Sequence, residues 1–277
     1  QMCIRDRITP ESTATKPSEV YKPGATLDRT LEYGGKTVPI YRDRPLNVFS
    51  DVDFIWTDEE NENQRRLEYL GGEFRTRYGI DVSSFQGEID WDAVADDNID
   101  FAMVRAGFRG TGTGSLNTDK YYEQNIRGAM RAGLETGVYF FAQAVTVEEA
   151  IEEADYVISL LDGLDINGPV AYDWEMHDST YRVYGTSPEM ATACAVAFCE
   201  RIKDAGYTPM VYGGTYVTYM KYDQGALADY LSWYPEYKSE KSEKLCPTLV
   251  YHMDYWQFSS SRAVAGINGR VDMNIQF

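Results

Sequence analysis

From Tyr78 onward, short apolar segments alternate with amphipathic ones, and this alternation limits the folds open to the chain. The apolar segments "YGIDVS", "FAMVRAG", "GVYFFA", "PVAYDWE" and "TPMVYG" are predicted to be strands. Strands that alternate with helices at this spacing indicate a parallel sheet, open or closed. After Gly213 the helical pattern fades, and "YLSWYP", "TLVYHM", "YWQFS" and "RVDMN" indicate strands joined by loops. About five βα units followed by mostly β strands are predicted.

The segments between these strands carry recognisable helix ends. Thr146 and Glu149 have the spacing of a capping box, and the apolar residues after them recur on one helical face. Ser187, followed by a proline, predicts the start of a second helix, and Gly206 lies just past its predicted end. A third helix is predicted to begin near Tyr122.

The chain before residue 76 lacks this pattern. Residues 1–7, "QMCIRDR", resemble translated adapter sequence, so a true N-terminus with an export signal or anchor is expected to be missing. Residues 8–32 are rich in Pro, Ser, Thr and charge and predict a disordered linker, which makes 1–32 the first segment. Residues 33–75 predict a small accessory segment with short strands. The patterned domain then spans residues 76–277.

Charge and cysteine usage restrict the partners. Lys and Arg total 26 against 44 Asp and Glu, a net charge of −18, whereas nucleic acids bind basic surfaces. This net charge gives no attraction to anionic lipid. No apolar run is long enough to span a bilayer. The protein is expected to be a monomer. The four cysteines, Cys3, Cys194, Cys199 and Cys246, are interpreted as buried thiols, with one Cys pairing as the alternative. Cys194 and Cys199 are predicted to share one helix.

Acidic residues fall at the predicted strand ends. Asp81 ends the first strand, Asp173 and Glu175 end the fourth, and Asp272 lies in the last. Residues i and i+2 of a strand project to the same side, so Asp173 and Glu175 are predicted to point together and Trp174 away. Close carboxylates repel as anions, which raises one pKa and keeps a proton available for donation. Glycoside hydrolysis needs that arrangement.

A D-x-E pattern alone does not decide between function and structure, because strand-end acids also cap helices or pair with arginines. Oxygen ligands from four acids would also suit Mg²⁺ or Ca²⁺, although neither a metal nor a cofactor is expected. His177 and His252 are too few for the clustered histidines of a zinc-dependent deacetylase. Arg105 is interpreted either as a substrate contact or as the partner of an acid.

Longer blocks of sequence resemble the glycoside hydrolase family 25 lysozymes. The blocks are "YGIDVSSFQGEIDWDAV", "FAMVRAGFRG", "GVYFFAQAVTVEEAIEEADYV", "PVAYDWE" and "YWQFSSSRAVAGINGRVDMN", which keep the family's order over residues 77 to 277. The resemblance implies an irregular β/α barrel of the TIM-like type with an N-terminal extension. It also implies a muramidase that cuts the β-1,4 bond after N-acetylmuramic acid in peptidoglycan, in the extracellular space or at the cell wall.

The resemblance assigns roles residue by residue. The family's four acids match Asp81, Asp173, Glu175 and Asp272, so Glu175 is the expected general acid/base. Asp173 is expected to support the substrate's 2-acetamido group, with direct carboxylate attack as the open alternative. Asp81 and Asp272 are expected to position the sugar and the other two acids.

Several aromatic residues are predicted to contact the sugar. These residues lie at or near strand ends and are Tyr139, Tyr212, Trp233 and Trp256. Tyrosine and tryptophan offer flat apolar area with a polar tip, which suits glycan clefts, although packing in the core competes for each.

Two further hypotheses remain open. One is a glycosidase of other specificity such as a chitinase, yet the family 18 signature D-x-x-D-x-D-x-E would require acids at Gly168 and Ala171. The other is a barrel that binds the cell wall without cutting it, which the presence of all four acids disfavours.

Overall fold

Eight strands of the chain close into one barrel-like sheet. The computed structural model describes residues 14–57 and 60–277. In chain order its helices and strands are α1 (Pro17–Val20), β1 (Leu27–Tyr33), β2 (Lys36–Tyr41), β3 (Phe54–Trp56), β4 (Leu67–Tyr69), β5 (Arg77–Val82), α2 (Trp91–Asp96), β6 (Phe101–Arg109), β7 (Leu116–Thr118), α3 (Tyr122–Arg131), β8 (Glu135–Ala142), α4 (Val147–Leu161), β9 (Val170–Trp174), α5 (Pro188–Asp204), β10 (Pro209–Tyr212), α6 (Thr215–Met220), β11 (Leu231–Pro235), β12 (Tyr255–Arg262) and β13 (Val271–Gln276).

Around the barrel the strands follow the order β5-β6-β8-β9-β10-β11-β12-β13, and β13 pairs with β5 to close it. Strands β5 to β12 in this ring run parallel, whereas β13 is antiparallel to both of its neighbours. The short β7 adds an antiparallel edge to β6. Helices follow β8, β9 and β10 directly, and α2 and α3 precede β6 and β8. A closed, barrel-like sheet in a mixed α/β fold is confirmed.

The helix ends are held by the predicted caps. The Thr146 hydroxyl accepts the Glu149 N–H (3.2 Å) at the start of α4, and the Ser187 hydroxyl accepts the Met190 N–H (3.2 Å) at the start of α5. The reciprocal half of the capping box is not made, because the Glu149 carboxylate instead accepts the Val145 N–H (2.8 Å). The cap therefore also fixes the loop before α4.

Alternation along each strand separates two cores. Inside the barrel lies a small cluster formed by Phe101, Met103, Ala171, Met210, Tyr212, Trp233 and Tyr255. The residues between them, such as Val170, Tyr172 and Trp174 on β9, point outward into the large core shared with the helices. Because successive strand residues face opposite sides, Asp173 follows Ala171 on the inner face. The inner core therefore forms the floor beneath the acids.

The N-terminal part of the chain differs from the predicted linker. Of residues 8–32, the stretch 8–13 lies outside the described residues, as do residues 1–7, but α1 and β1 are ordered elements. The predicted boundary between residues 32 and 33 falls within β1, which pairs with β2 in a hairpin. Gly34 and Gly35, both at positive φ, supply the turn of this hairpin.

Residues 33–75 pack tightly on the barrel. The buried Arg44 guanidinium donates to the carbonyls of Leu227 (2.6 Å) and Tyr230 (3.1 Å), which joins this segment to the residues before β11. Phe49 stacks within a cluster of rings that includes Phe277, with centroids 4.3 Å apart. The segment thus covers apolar barrel surface.

The predicted strand "TLVYHM" is wrong. Residues 248–253 form no strand. Tyr251 makes a single β-bridge to Leu46, and the His252 N–H donates to the Pro45 carbonyl (2.9 Å). Leu249, Tyr251 and Met253 are buried, and main-chain hydrogen bonds join this stretch to residues 45–47.

The cysteines that the structure describes are buried and free, and Cys194 and Cys199 share α5 as predicted. Cys3 lies outside the described residues. No helix among the described residues is long and apolar enough to cross a membrane.

Candidate active site

The four predicted acids meet in one pocket at the C-terminal ends of the parallel strands. Asp81 lies on β5 and is the direct pairing partner of Asp272 on β13. Asp173 is the penultimate residue of β9, and Glu175 follows that strand. The pocket, here called the acidic pocket, has a volume of about 220 Å³ and is lined by Asp81, Ser83, Phe85, Gln86, Arg105, Tyr139, Phe141, Asp173, Glu175, Tyr212, Trp233, Tyr237, Gln257 and Asp272.

Two amide side chains hold Asp81 in place. Its Oδ2 accepts hydrogen bonds from Gln257 Nε2 (2.8 Å) and Asn274 Nδ2 (2.8 Å). Gln257 Nε2 also donates to Asp272 Oδ2 (3.2 Å), and Trp233 Nε1 orients Asn274 by donating to its Oδ1 (2.8 Å). These bonds fix the relative positions of the two carboxyl groups.

Burial makes this pair of acids easy to protonate. Burial raises the pKa of Asp81 to about 6, and the two amide hydrogen bonds limit the rise. Burial, and then the charges of Asp81 and Glu175, raise the pKa of Asp272 to about 8. At neutral pH the pair therefore retains a proton, as expected for carboxyl groups that face each other.

Asp173 is a buried acid with a raised pKa. Its side chain is buried between Phe141 and Tyr212, its register neighbours on β8 and β10, and Oδ1 has no hydrogen-bond partner among the described residues. Burial, followed by the charge of Glu175, raises the pKa of Asp173 well above its usual range. A buried oxygen without a donor costs free energy, so a ligand N–H placed there would be bound favourably.

Glu175 is held by residues from two loops. Gln143, fully buried after β8, donates through Nε2 to the Glu175 carbonyl (2.8 Å), and the Glu175 carboxylate contacts His177 Nε2 (2.8 Å). Arg182 joins the loops by donating to the Gln143 carbonyl (3.0 Å) and to the Glu149 carboxylate (2.7 and 3.0 Å). The main chain at Glu175 is therefore anchored while its carboxylate faces the pocket.

Three of the four predicted aromatic residues line the acidic pocket. Trp233 stands edge-on to Tyr212 (centroids 4.9 Å apart) and to Tyr139 (5.8 Å). As predicted, Asp173 and Glu175 share the pocket, while Trp174 points away and donates to the Ala144 carbonyl (3.2 Å).

Trp256 does not belong to the site, and its predicted sugar contact is wrong. The side chain is fully buried on the outer face of β12, where it packs edge-on against Phe54 (5.3 Å) and donates to the Glu236 carbonyl (3.0 Å). The next residue, Gln257, faces the pocket instead. The strand alternation placed the amide inside and the indole outside.

Arg105 is the partner of an acid, one of the two roles considered for it, and it also lines the acidic pocket. Its guanidinium pairs with the buried Asp119 carboxylate (2.7 Å) and also lines the acidic pocket, between the rings of Phe85 (5.2 Å) and Phe108 (5.6 Å). The Phe85 ring itself is 85% exposed, so it offers a flat face at the rim.

Four residues in or next to the acidic pocket were not predicted to belong to the site. Asn274 lies two residues after Asp272 and shares its face, and His177 lies two residues after Glu175. The i, i+2 spacing could therefore have predicted both residues near the acids. No sequence pattern predicted Gln143 or Tyr237, because each reaches the site from a loop.

A second groove adjoins the acidic pocket. It has a volume of about 390 Å³, shares Glu175, Tyr212 and Tyr237 with the acidic pocket, and continues along Tyr216 and Pro235. No group of three or more His, Cys, Asp or Glu within residues 14–57 and 60–277 is arranged to hold a metal ion.

Two curated relatives of this chain are named as lysozymes. The chain is 26% identical over 197 residues to the autolytic lysozyme of Clostridium acetobutylicum, covering 71% of this chain and 54% of that protein. It is 27% identical over 201 residues to lysozyme M1 of Streptomyces globisporus, covering 71% and 66%. The chain thus spans about half to two-thirds of the length of these relatives.

Solved structures share the fold. The spore cortex lytic enzyme SleM of Clostridium perfringens superposes with a TM-score of 0.62 at 24% identity, covering 73% of this chain and 67% of that chain. A bacterial lysozyme from Streptomyces coelicolor superposes with a TM-score of 0.55 at 23% identity, covering 73% and 92%. The family model "Glycosyl hydrolases family 25" matches residues 80–267, which is more than half of the chain and includes Asp81, Asp173 and Glu175. The chain therefore belongs to glycosyl hydrolase family 25.

Proposed function

We propose that this protein is a peptidoglycan hydrolase, a 1,4-β-N-acetylmuramidase that cleaves the bond between N-acetylmuramic acid and N-acetylglucosamine. The observation that carries the proposal is the convergence of Asp81, Asp173, Glu175 and Asp272 in one pocket at the C-terminal ends of parallel strands. Two family relatives are named as lysozymes, which supports the same activity.

The wider setting follows from this function. The barrel is proposed to be an irregular member of the TIM-like type, in which active sites lie at the C-terminal strand ends. The glycan strands of peptidoglycan are the proposed partner, and the protein is proposed to act as a monomer outside the cell or at the wall. The cleft formed by the acidic pocket and its adjoining groove suits a polymer that passes across the barrel mouth.

In the proposed reaction, Asp173 and Glu175 share one proton. Burial and the charge of Glu175 raise the pKa of Asp173, so the two carboxyl groups do not ionise independently. A sugar acetamido N–H against Asp173 favours its carboxylate, because a hydrogen bond to the anion stabilises it. The proton then resides on Glu175, which acts as the general acid toward the glycosidic oxygen.

The remaining steps use the same two residues. As the glycosidic bond breaks, the leaving hydroxyl takes the proton of Glu175 and the acetamido oxygen bonds to the anomeric carbon. The Asp173 carboxylate stabilises the positive charge on that ring. Water then attacks the anomeric carbon, the Glu175 carboxylate removes its proton, and the acetamido group is released. Asp81 and Asp272 position the sugar, since their amide partners hold them rigidly.

Mass spectrometry of digested peptidoglycan tests the activity. Fragments reduced with borohydride after digestion should carry a reduced N-acetylmuramic acid at the new end, because the proposed cut leaves that sugar as the reducing end. A reduced N-acetylglucosamine would instead indicate a glycosidase of other specificity. Walls that bind the protein but release no new reducing ends would identify a binding barrel.

Chelation should leave the activity unchanged. The proposed mechanism uses only carboxyl groups and the substrate's acetamido group, so exhaustive EDTA treatment followed by a turbidity assay should give the untreated rate. Loss of activity that Mg²⁺ or Ca²⁺ restores would show that the acids hold a metal ion.

A further inference from the structure

A buried ion pair lies outside the acidic pocket, between the barrel and α4. Arg109, the last residue of β6, donates through Nε to Glu153 Oε1 on α4 (2.7 Å). The side chain of Arg109 is 4% exposed, that of Glu153 is fully buried, and neither residue lines the acidic pocket. Because a buried ion pair adds little stability compared with apolar side chains of the same volume, stability alone does not account for its presence.

One oxygen of this pair connects it to the main chain of the proposed general acid. Glu153 Oε1 also accepts the Gln143 main-chain N–H (3.0 Å), and Gln143 Nε2 donates to the Glu175 carbonyl (2.8 Å). Glu153 and Gln143 are both fully buried, which shields these hydrogen bonds from bulk water. A series of three hydrogen bonds therefore joins Arg109 to Glu175.

Further hydrogen bonds orient the Arg109 guanidinium. Nη1 donates to the Gly114 carbonyl (2.8 Å), and Nη2 donates to the Glu149 carbonyl (3.1 Å) and to Glu152 Oε2 (2.7 Å). A guanidinium is planar, with its donors in a fixed arrangement, so these contacts also fix the direction of its Nε–H bond. The Glu153 carboxylate is thereby held in one position relative to α4 and to the end of β6.

Glu152 offers a comparison on the same helix. Its carboxylate binds the same guanidinium, but its side chain is 58% exposed. The Gln143 N–H binds Glu153, and the Gln143 side-chain amide binds Glu175. Of the two carboxylates that bind Arg109 in the described part of the chain, Glu153 is therefore the one that is bonded to the residue holding Glu175.

We propose that Glu153 is a positioning residue for the general acid: through Gln143 it holds the main chain of Glu175, and so directs the Glu175 carboxyl group at the glycosidic oxygen. This role rests on the proposed function, in which Glu175 gives its proton to that oxygen. Proton transfer needs the two oxygens within hydrogen-bond reach, about 2.6–3.2 Å, and a misplacement of about 1 Å can lower the rate about 10²-fold. Glu153 lies outside the acidic pocket, so it acts through this geometry alone.

Four variants of the full chain test this role, with a short soluble glycan as the substrate. Glu153→Gln keeps an oxygen that can accept the Gln143 N–H, so its kcat should stay within about threefold of the parent value. The pair variant Arg109→Met/Glu153→Leu removes that oxygen together with its partner charge, and Gln143→Leu removes the amide that binds Glu175. In both, kcat should fall by about 10–10²-fold while KM stays within about twofold, because the sugar contacts are unchanged. Glu152→Gln is the matched control and should keep the parent kcat.

Stability and additivity separate positioning from misfolding. Replacement of both members of a buried ion pair by apolar residues is often neutral or stabilising, so the pair variant should have a thermal unfolding midpoint close to that of the parent. Adding Gln143→Leu to the pair variant should lower kcat no further, because Glu153 acts through that amide. Losses that multiply, or an equal loss in Glu152→Gln, would overturn the proposal. A parent-like kcat in Gln143→Leu, whose ion pair is intact, would overturn it even if the pair variant does not fold.

Amide hydrogen exchange, measured by mass spectrometry, tests the positioning without hydrolysis. In the pair variant, the peptides that cover Gln143 and residues 175–178 should exchange faster than in the parent, since the hydrogen bonds that hold them are weakened. In Glu152→Gln both peptides should exchange like the parent. Parent-like exchange at residues 175–178, or a parent-like kcat, in the pair variant would overturn the proposal. Faster exchange there, when the parent chain releases no reducing ends, would support the link to Glu175 and reject only the muramidase.

Discussion

Replacing Glu175 with glutamine is expected to reduce peptidoglycan hydrolysis by at least about 10²–10⁴-fold, the usual contribution of general acid/base catalysis. The amide has nearly the same volume as the carboxyl group but donates no transferable proton. The main chain of Glu175 should remain in place, because Gln143 binds its carbonyl rather than its side chain. Release of reducing ends from purified walls measures the effect.

Two observations make this test specific. Glu243→Gln, at an exposed glutamate outside the acidic pocket, is the matched control and should retain the parent rate. The thermal unfolding midpoint of Glu175→Gln should match that of the parent, which excludes misfolding as the cause. Near-parental turnover by Glu175→Gln on natural peptidoglycan would remove this residue from the role of acid.

Asp173→Asn should lower activity on N-acetylated glycan by orders of magnitude. Asparagine keeps the size of the side chain but removes the charge that would stabilise the acetamido group as it becomes positive. Because no protein nucleophile is lost in this scheme, azide should not rescue the variant and no inverted glycosyl azide should form. A covalent mechanism predicts the opposite, azide rescue and a sugar linked to the carboxylate.

Peptide mass spectrometry of the parent enzyme during turnover gives the deciding measurement. A sugar covalently attached to Asp173 would contradict the acetamido mechanism, whatever the kinetics of the variant.

The stability of the Asp173→Asn variant supplies the control. The pKa of Asp173 is raised on folding, so the folded state binds the proton more tightly and loses stability as the pH rises above the unfolded value. Asp173→Asn removes that loss, so at neutral pH its thermal unfolding midpoint should be at least as high as that of the parent.

The parallel strands that carry the acids could be predicted from the sequence because the pattern that identifies them lies within a few neighbouring residues. Each parallel strand is a short apolar run between helices with standard caps, and alternation within "PVAYDWE" is enough to place Asp173 and Glu175 on one side. The pattern failed at "TLVYHM", whose buried residues belong to a stretch that pairs through its main chain with residues 45–47 from far along the chain. Local hydrophobicity indicates burial but does not indicate what provides it.

The two faces of β12 show the same limit. Trp256 and Gln257 both stand near a predicted strand end, and a strand buried on both faces shows no polar alternation to distinguish them. The register of β12 between β11 and β13 turns Gln257 toward Asp81 and Trp256 toward Phe54.

By itself the sequence determined the βα order, the caps of α4 and α5 and the position of acids at strand ends, because these depend on residues close together in the chain. Only the tertiary structure decided that Asp81 pairs with Asp272, that Gln257 binds both acids and Asn274 binds Asp81, and that Gly24 and Tyr41 donate to Asp223 and Tyr251. These features depend on closure of the barrel and on contacts across about two hundred residues of chain. No local pattern encodes such contacts, because the free energy that selects them comes from burying both partners at once.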